Sequence, residues 1–153
     1  MKKIERAEKI REILDALYPE VKCTLNYSNP LEMLIATQLS AQCTDARVNI
    51  ITEELFKKYT SVEDYANADL SELEEDIRSA GFYKNKAKNI IATSRRILEV
   101  YGGNVPDTME DLLTLPGTGR KTANLVLGDI FKKPAVVVDT HCIRLSNRLG
   151  LVN

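Results

Sequence analysis

The sequence predicts an all-α protein, and three observations support this prediction. Apolar residues recur at three- and four-residue spacing along most of the chain, as they do on the buried faces of helices. The only β-branched run, the three valines at 136–138, has no comparable segment with which to pair. The connections between the helical segments are short, which favours a packed helical array over domains joined by linkers.

The first half of the chain contains four predicted helices. The first covers about 4–18 and carries an apolar stripe along one face. The second runs towards Ser40 and is apolar on most sides, so we expect it to be central. The third ends near Tyr59, and the fourth is short. A first-turn proline and candidate capping residues mark the starts of the last three: Pro30, Thr44 or Asp45, and Ser61 with Asp64.

The second half begins with a predicted helix that starts at Asp69 or Ser71 and ends at Gly81. A long helix follows over about 85–100 and is closed by two glycines at 102–103. Thr108 and Asp111 then open a short helix. Further helices are predicted to begin at about Gly119 and to cover 142–149.

Size and charge restrict the class of protein. The chain has 153 residues and a mass of 17.2 kDa, which fits one compact domain or two small lobes. Its formal net charge is −1, so any surface that binds nucleic acid must arise from local charge. Residues 61–80 contain seven acidic side chains and one arginine, and this surface should avoid phosphates. Residues 81–100 contain five basic side chains and one acidic; alone, this favours a solvated helix face.

The sequence also contains no sign of a membrane or secreted protein. No run of about 18 apolar residues is present, and the first residues lack the apolar core of a signal peptide. The three cysteines are an odd number without a Cys-x-x-Cys pair, which disfavours a disulfide framework and a zinc site. We expect a cytoplasmic protein with no membrane partner.

A helix-hairpin-helix is predicted over about 111–131. A short helix ends at Leu115, a tight turn follows through Pro116 and Gly117, and a second helix begins at about Gly119. Glycines let backbone N–H groups approach a phosphate closely, and a helix N-terminus adds partial positive charge. Such a motif grips a nucleic-acid backbone without reading bases. The Gly-x-Gly turn alone is equally compatible with a simple helix end.

Two side chains near this motif suggest chemistry. Lys121 lies in the first turn of the second helix, where the helix N-terminus and Arg120 both disfavour its proton, and an unprotonated amine is a nucleophile. Asp139 follows the valine run, where apolar burial would fix its carboxylate. Taken singly, each residue favours a non-catalytic role: Lys121 as a phosphate-binding or solvated lysine, Asp139 as a helix N-cap, and His141 as a surface or core histidine.

Together these segments resemble the endonuclease III family of helix-hairpin-helix DNA glycosylases. The resemblance rests on Leu-Pro-Gly-Thr-Gly-Arg-Lys-Thr-Ala-Asn at 115–124 and Val-Asp-Thr-His at 138–141. Leu-Ser-Ala-Gln-Cys-Thr-Asp at 39–45, Gly-Phe-Tyr at 81–83 and Lys-Ala at 86–87 agree with it. It runs from about residue 4 to the last residue. It implies a six-helix core that excises oxidised pyrimidines from duplex DNA at the nucleoid, with AP lyase activity.

The resemblance also implies residue roles. Lys121 would attack C1′ to form a Schiff base, and Asp139 would help activate it. Gln42 would fill the space vacated by the flipped base and Phe82 would wedge the opposite strand; alternatively, Gln42 is a loop amide and Phe82 a core residue. The backbone carbonyls of three residues would bind Na⁺ or K⁺: Leu113, Leu115 and Thr118. Seven further residues would bind DNA, the last two of them through its phosphates: Leu115, Gly117, Gly119, Arg120, Thr122, His141 and Arg144.

One feature of the family is absent from this sequence. Most members carry a four-cysteine [4Fe–4S] site, spaced Cys-x6-Cys-x2-Cys-x5-Cys, near the C-terminus, whereas the cysteines here are Cys23, Cys43 and Cys142. We therefore expect no cluster and no other cofactor in this chain, apart from the hairpin cation, and interpret the chain as a C-terminally truncated member. Its expected parts are 1–22 from the otherwise missing cluster lobe, a core at 23–134, and the start of the second lobe at 135–153.

This interpretation leaves alternatives open. The apolar stripe of the first helix would lose cover, which predicts self-association through that helix or a mobile helix. The chain is alternatively a non-catalytic helix-hairpin-helix DNA-binding module or an inactive fragment of the enzyme. An adenine-specific relative is disfavoured by Lys121, because the matching residue in that branch is typically not lysine.

Overall fold

The computed structural model describes residues 2–152, and within them the chain is helical without any strand, which confirms the all-α prediction. No helix in this range is both long and apolar enough to cross a membrane. The α-helices are α1 (Lys3–Leu17), α2 (Pro30–Leu39), α3 (Asp45–Lys58), α4 (Val62–Ala66), α5 (Leu70–Asp76), α6 (Tyr83–Tyr101), α7 (Met109–Leu112), α8 (Arg120–Asp129) and α9 (Thr140–Arg148). A 3-10 helix covers Arg78–Ala80.

The chain divides into two compact units. One is formed by residues 2–23 together with 137–152, and the other by Thr24–Val136. The second unit contains α2 to α8; with the four-residue α7 counted separately, these are seven α-helices, where the resemblance implies a six-helix core.

Helix α2 is the centre of the Thr24–Val136 unit. Its residues 33–39 are all buried, and it packs against α3, α6 and α8. Asn29 begins the helix, because its side-chain oxygen accepts a hydrogen bond of 2.9 Å from the Glu32 N–H, and Pro30 occupies the first turn. A sequence that is apolar on most sides thus forms the central helix, as predicted.

Capping side chains begin the next three helices where the sequence predicted them, at Thr44, Ser61 and Asp69. The fifth helix, however, ends at Asp76 and not at Gly81, because the chain tightens into the 3-10 helix before Gly81 takes a φ of +66°.

Helix α6 supports α4 and α5, which pack against it. It begins at Tyr83, two residues before the predicted start, and ends at Gly102, whose φ of +61° closes it in the left-handed conformation. Its basic side chains were expected on a solvated face. For Lys86 this is wrong, since that side chain is buried.

The unit of residues 2–23 and 137–152 contains α1 and α9. Arg6 Nη1 donates a hydrogen bond of 3.3 Å to the Leu149 carbonyl within this unit. None of the α1 residues is buried, and the exposed apolar side chains on this helix are Ile4, Ile13, Leu14 and Leu17. Self-association through this face stays a prediction.

Candidate functional site

The connection between α7 and α8 is a compact hairpin. Thr108 caps α7, and successive hydrogen bonds tighten the chain after it: Leu115 N–H to the Leu112 carbonyl and Thr118 N–H to the Leu115 carbonyl, both 3.1 Å. Leu115 and Thr118 are buried, whereas Gly117 is exposed with a φ of +72°. The turn therefore presents glycine backbone outward while its other side chains anchor it.

Buried polar side chains of α2 and α6 form hydrogen bonds with this hairpin. Gln38 Nε2, on α2, donates to the Pro116 carbonyl at 3.0 Å and lies 3.2 Å from Thr118 Oγ1. Thr93 Oγ1, on α6, donates to the same Pro116 carbonyl at 2.7 Å. Neither anchor is predicted by the sequence patterns; the available signal is a glutamine within the otherwise apolar α2. These bonds fix the hairpin relative to α2 and α6.

Replacing Gly117 with alanine is expected to lower the free energy of unfolding by about 2–3 kcal/mol. The new Cβ would lie 2.8 Å from Asn89 Nδ2 and 2.9 Å from Asn89 Cβ. In addition, the positive φ of Gly117 is unfavourable for alanine. Gly119→Ala is the matched control, because a Cβ there meets nothing within 4 Å, and it should cost less than about 1 kcal/mol. Urea denaturation measures both variants, and equal stabilities would contradict the crowding at Gly117.

Helix α8 begins without a side-chain cap. Its N-cap is Gly119, which offers no hydrogen-bond acceptor to the first-turn N–H groups, whereas Thr108 caps α7 and Asp139 caps α9. Arg120 is the first helical residue and is exposed, and Thr122 is half-buried. Uncapped N–H groups beside a cation are suited to an anionic oxygen.

Lys121 lies in the first turn of α8, with its side chain exposed. Within residues 2–152 its ammonium group makes no hydrogen bond or ion pair. The amine is thus unoccupied and accessible from solvent, directly after the hairpin.

Asp139 lies in the other compact unit and begins α9. Its Oδ1 accepts a hydrogen bond of 2.7 Å from the Cys142 N–H, so the N-cap interpretation holds. The expected burial of the preceding valines is wrong: Val136 is 65% and Val138 is 52% exposed. The carboxylate is half-buried and oriented by its own helix, since a cap needs only local backbone N–H groups.

His141 and Arg144 form a pair one turn apart on α9. Arg144 Nη2 donates to His141 Nδ1 at 3.2 Å, and both side chains are exposed. Because a guanidinium is only a donor, this bond requires an unprotonated Nδ1.

Gln42 and Phe82 are exposed residues in two loops of the Thr24–Val136 unit. Both have left-handed backbones, with φ of +53° for Gln42 and +50° for Phe82. The Phe82 side chain is 67% exposed, so the alternative that it is a core residue is wrong. Non-glycine residues with positive φ and exposed side chains are uncommon and mark strained positions.

The chain is similar to known DNA repair proteins. Residues 35–153 match the model of the HhH-GPD superfamily of base excision DNA repair proteins. The chain is 53% identical to endonuclease III of Synechocystis sp. over 150 residues. The matched region covers 97% of this chain and 68% of that protein. It is 53% identical to endonuclease III of Bacillus subtilis (strain 168) over 135 residues. That region covers 88% of this chain but only 62% of the length of that protein.

A solved structure agrees with these sequence similarities. The fold is similar to that of the enzyme in a trapped endonuclease III–DNA covalent intermediate, an estranged-adenine complex, with a TM-score of 0.94 and 45% identity. The similarity covers 100% of this chain and 71% of that one. The chain therefore belongs to the HhH-GPD superfamily and, within it, to the endonuclease III family.

Proposed function

We propose that this chain carries the catalytic centre of a base excision repair DNA glycosylase with AP lyase activity, which removes oxidised pyrimidines from duplex DNA in the cytoplasm, at the nucleoid. One observation carries the proposal: Lys121 is an exposed amine without a protein partner among residues 2–152. It lies in the first turn of the helix that follows the hydrogen-bonded hairpin. Family membership supports it, because a related endonuclease III was trapped covalently on DNA.

The hairpin is the element that we propose binds the DNA backbone. Its exposed Gly117 and Gly119 allow close approach of a phosphate, and the uncapped N–H groups of α8 supply donors. Arg120, Thr122 and the pair on α9 would add phosphate contacts. These contacts position the protein without selecting a sequence, so the damaged base itself must supply the specificity.

The loops of Gln42 and Phe82 are proposed to enter the duplex. Chemistry on a base requires the nucleotide to leave the stack, which costs a few kcal/mol. Gln42 would occupy the vacated space and Phe82 would wedge the opposite strand. The exposure of both side chains at left-handed loop positions supports these roles.

The proposed reaction joins the unprotonated Lys121 nitrogen to C1′ of the flipped nucleotide while the bond from C1′ to the base breaks. The base departs with the bonding electron pair and takes a proton from solvent. The attacking nitrogen gives up one proton, O4′ takes up a proton as the C1′–O4′ bond opens, and a protonated imine remains. The imine acidifies the proton at C2′, and its removal expels the 3′ phosphate by β-elimination. Asp139 would take up the proton that Lys121 releases, which is compatible with its N-cap role because a carboxylate has several lone pairs.

The hairpin carbonyls fit a monovalent cation. In the described part of the chain, the Leu113 and Thr118 carbonyls accept no backbone hydrogen bond, and Leu115 accepts one. Such oxygens suit Na⁺ or K⁺, and we propose that these three carbonyls hold the ion, which would add positive charge next to a DNA phosphate.

The residues present do not fit a [4Fe–4S] cluster. The chain has three cysteines, and residues 2–152 contain no group of three or more His, Cys, Asp or Glu side chains placed to hold a metal. No proposed step therefore involves a cluster.

A duplex with one thymine glycol tests the proposed function. At low salt we expect release of the damaged base followed by strand cleavage, whereas an otherwise identical undamaged duplex stays intact. Binding of the damaged duplex with neither base release nor cleavage would contradict the proposal and favour a non-catalytic DNA-binding module.

A further inference from the structure

Lys86 is a buried lysine without a carboxylate partner. Its side chain is 7% exposed, and it is the only charged residue among the buried residues that the structure describes. Its Nζ donates two hydrogen bonds of 2.8 Å, to the carbonyls of Leu39 and Ala80. Burial lowers the pKa of Lys86, and the nearby Cys43 acts in the opposite direction without cancelling the shift. A buried ammonium is costly, so its retention calls for a physical reason.

The two carbonyls lie at the bases of the two loops that carry Gln42 and Phe82. Leu39 is the last residue of α2, and Ala80 is the last residue of the 3-10 helix. Terminal carbonyls of helices lack intrahelical partners, and a cation there is favoured by the helix dipole. One ammonium therefore ties two segments that are far apart in the sequence, three residues before Gln42 and two before Phe82.

We propose that Lys86 is a positioning residue that sets the separation of the Gln42 and Phe82 loops, so that both side chains enter the duplex at the same base pair. This inference rests on the proposed function. Two inserted side chains act together only when their spacing is fixed before binding, and a displacement of about 1 Å can reduce a rate about 100-fold. Lys86 supplies the fixed spacing because its two acceptors belong to the two loop bases.

Lys86→Met tests the inference, since it keeps the length of the side chain and removes both donors. We expect excision of thymine glycol from a duplex to fall about 10- to 100-fold. Cleavage at an abasic site in a single strand, which requires neither insertion, should stay at the wild-type rate. The ratio of the two rates separates positioning from general damage, because partial unfolding lowers both equally.

Two further variants sharpen the test. Lys88→Met removes a lysine from the same helix whose side chain is exposed, and should leave the ratio unchanged. Gln42→Ala combined with Lys86→Met should lose less than the product of the two single losses, because Lys86 cannot position a side chain that is absent.

The outcomes are distinguishable. A wild-type chain that cleaves neither substrate overturns the proposed function and this inference with it. A wild-type chain active on both substrates, with equal losses in Lys86→Met or with multiplicative losses in the double variant, overturns only the positioning role. Should circular dichroism show that Lys86→Met is unfolded, Lys86→Arg replaces it. Its larger planar group keeps donors but shifts the carbonyls, so a reduced ratio is expected and an unchanged ratio overturns the inference.

Discussion

Replacing Lys121 with alanine is expected to abolish the covalent adduct that borohydride traps on duplex DNA with an abasic site. The alanine variant has no amine at this position, and no other group in the first turn of α8 can form an imine with C1′. The fold should persist, because the Lys121 side chain is exposed and makes no hydrogen bond or ion pair within residues 2–152. Gel electrophoresis after reduction measures the adduct, and thermal denaturation measures the stability.

Lys121→Arg separates the chemistry from the charge in this experiment. The guanidinium keeps the positive charge beside the phosphates but is always protonated and is not a nucleophile. We expect no adduct from this variant either, with an affinity for the duplex reduced less than about tenfold, as is typical for the loss or change of one phosphate contact. A trapped adduct in either variant would show that another amine performs the attack.

Replacing Asp139 with asparagine is expected to slow base excision about 10²- to 10⁴-fold without a change in stability. The amide oxygen still caps α9 by accepting from the Cys142 N–H, but it cannot take up a proton from Lys121. Single-turnover excision of thymine glycol measures the rate, and urea denaturation measures the free energy of unfolding.

Asp139→Ala is the matched comparison, because it removes the carboxylate and the cap together. It should slow excision equally and also destabilise the chain by about 1 kcal/mol. Wild-type excision by the asparagine variant would show that Asp139 acts only as the cap of α9, which is the simpler interpretation that the sequence left open.

The parts of the fold that could be predicted are those with local causes. Thr44, Ser61 and Asp69 begin helices because their side chains reach backbone N–H groups three residues away, and such a pattern is visible in the sequence. Gly102 ends α6 for an equally local reason. The error at the end of the fifth helix arose because the change to a 3-10 helix leaves no comparable composition signal.

The residues that the sequence did not reveal act over long separations. Gln38 reaches the hairpin 78 residues away, and Lys86 reaches Leu39 across 47 residues. Periodicity places Lys86 among the basic residues of a helix, but whether a lysine faces solvent or two carbonyls depends on how the helices pack. The hairpin itself could be predicted, because its proline and glycines are adjacent in the chain.

The proposed catalytic residues show the same contrast between local and distant causes. Lys121 was identified from its place in a local motif, and the structure puts it in the first turn of α8 as an exposed side chain. Its partnership with Asp139, which belongs to the other compact unit, is a proposal from family resemblance. The exposed valines before Asp139 illustrate why an apolar run alone does not indicate burial.

Locating the trapped carbon on the protein tests the catalytic proposal most directly. The wild-type chain is incubated with a duplex that carries one thymine glycol, and borohydride reduces the imine that forms. The trapped protein is then digested, and the modified peptide is sequenced by mass spectrometry. We predict that the deoxyribose remnant is attached to Nζ of Lys121. Attachment to a different amine, or no attachment by a folded chain that binds the duplex, would contradict it.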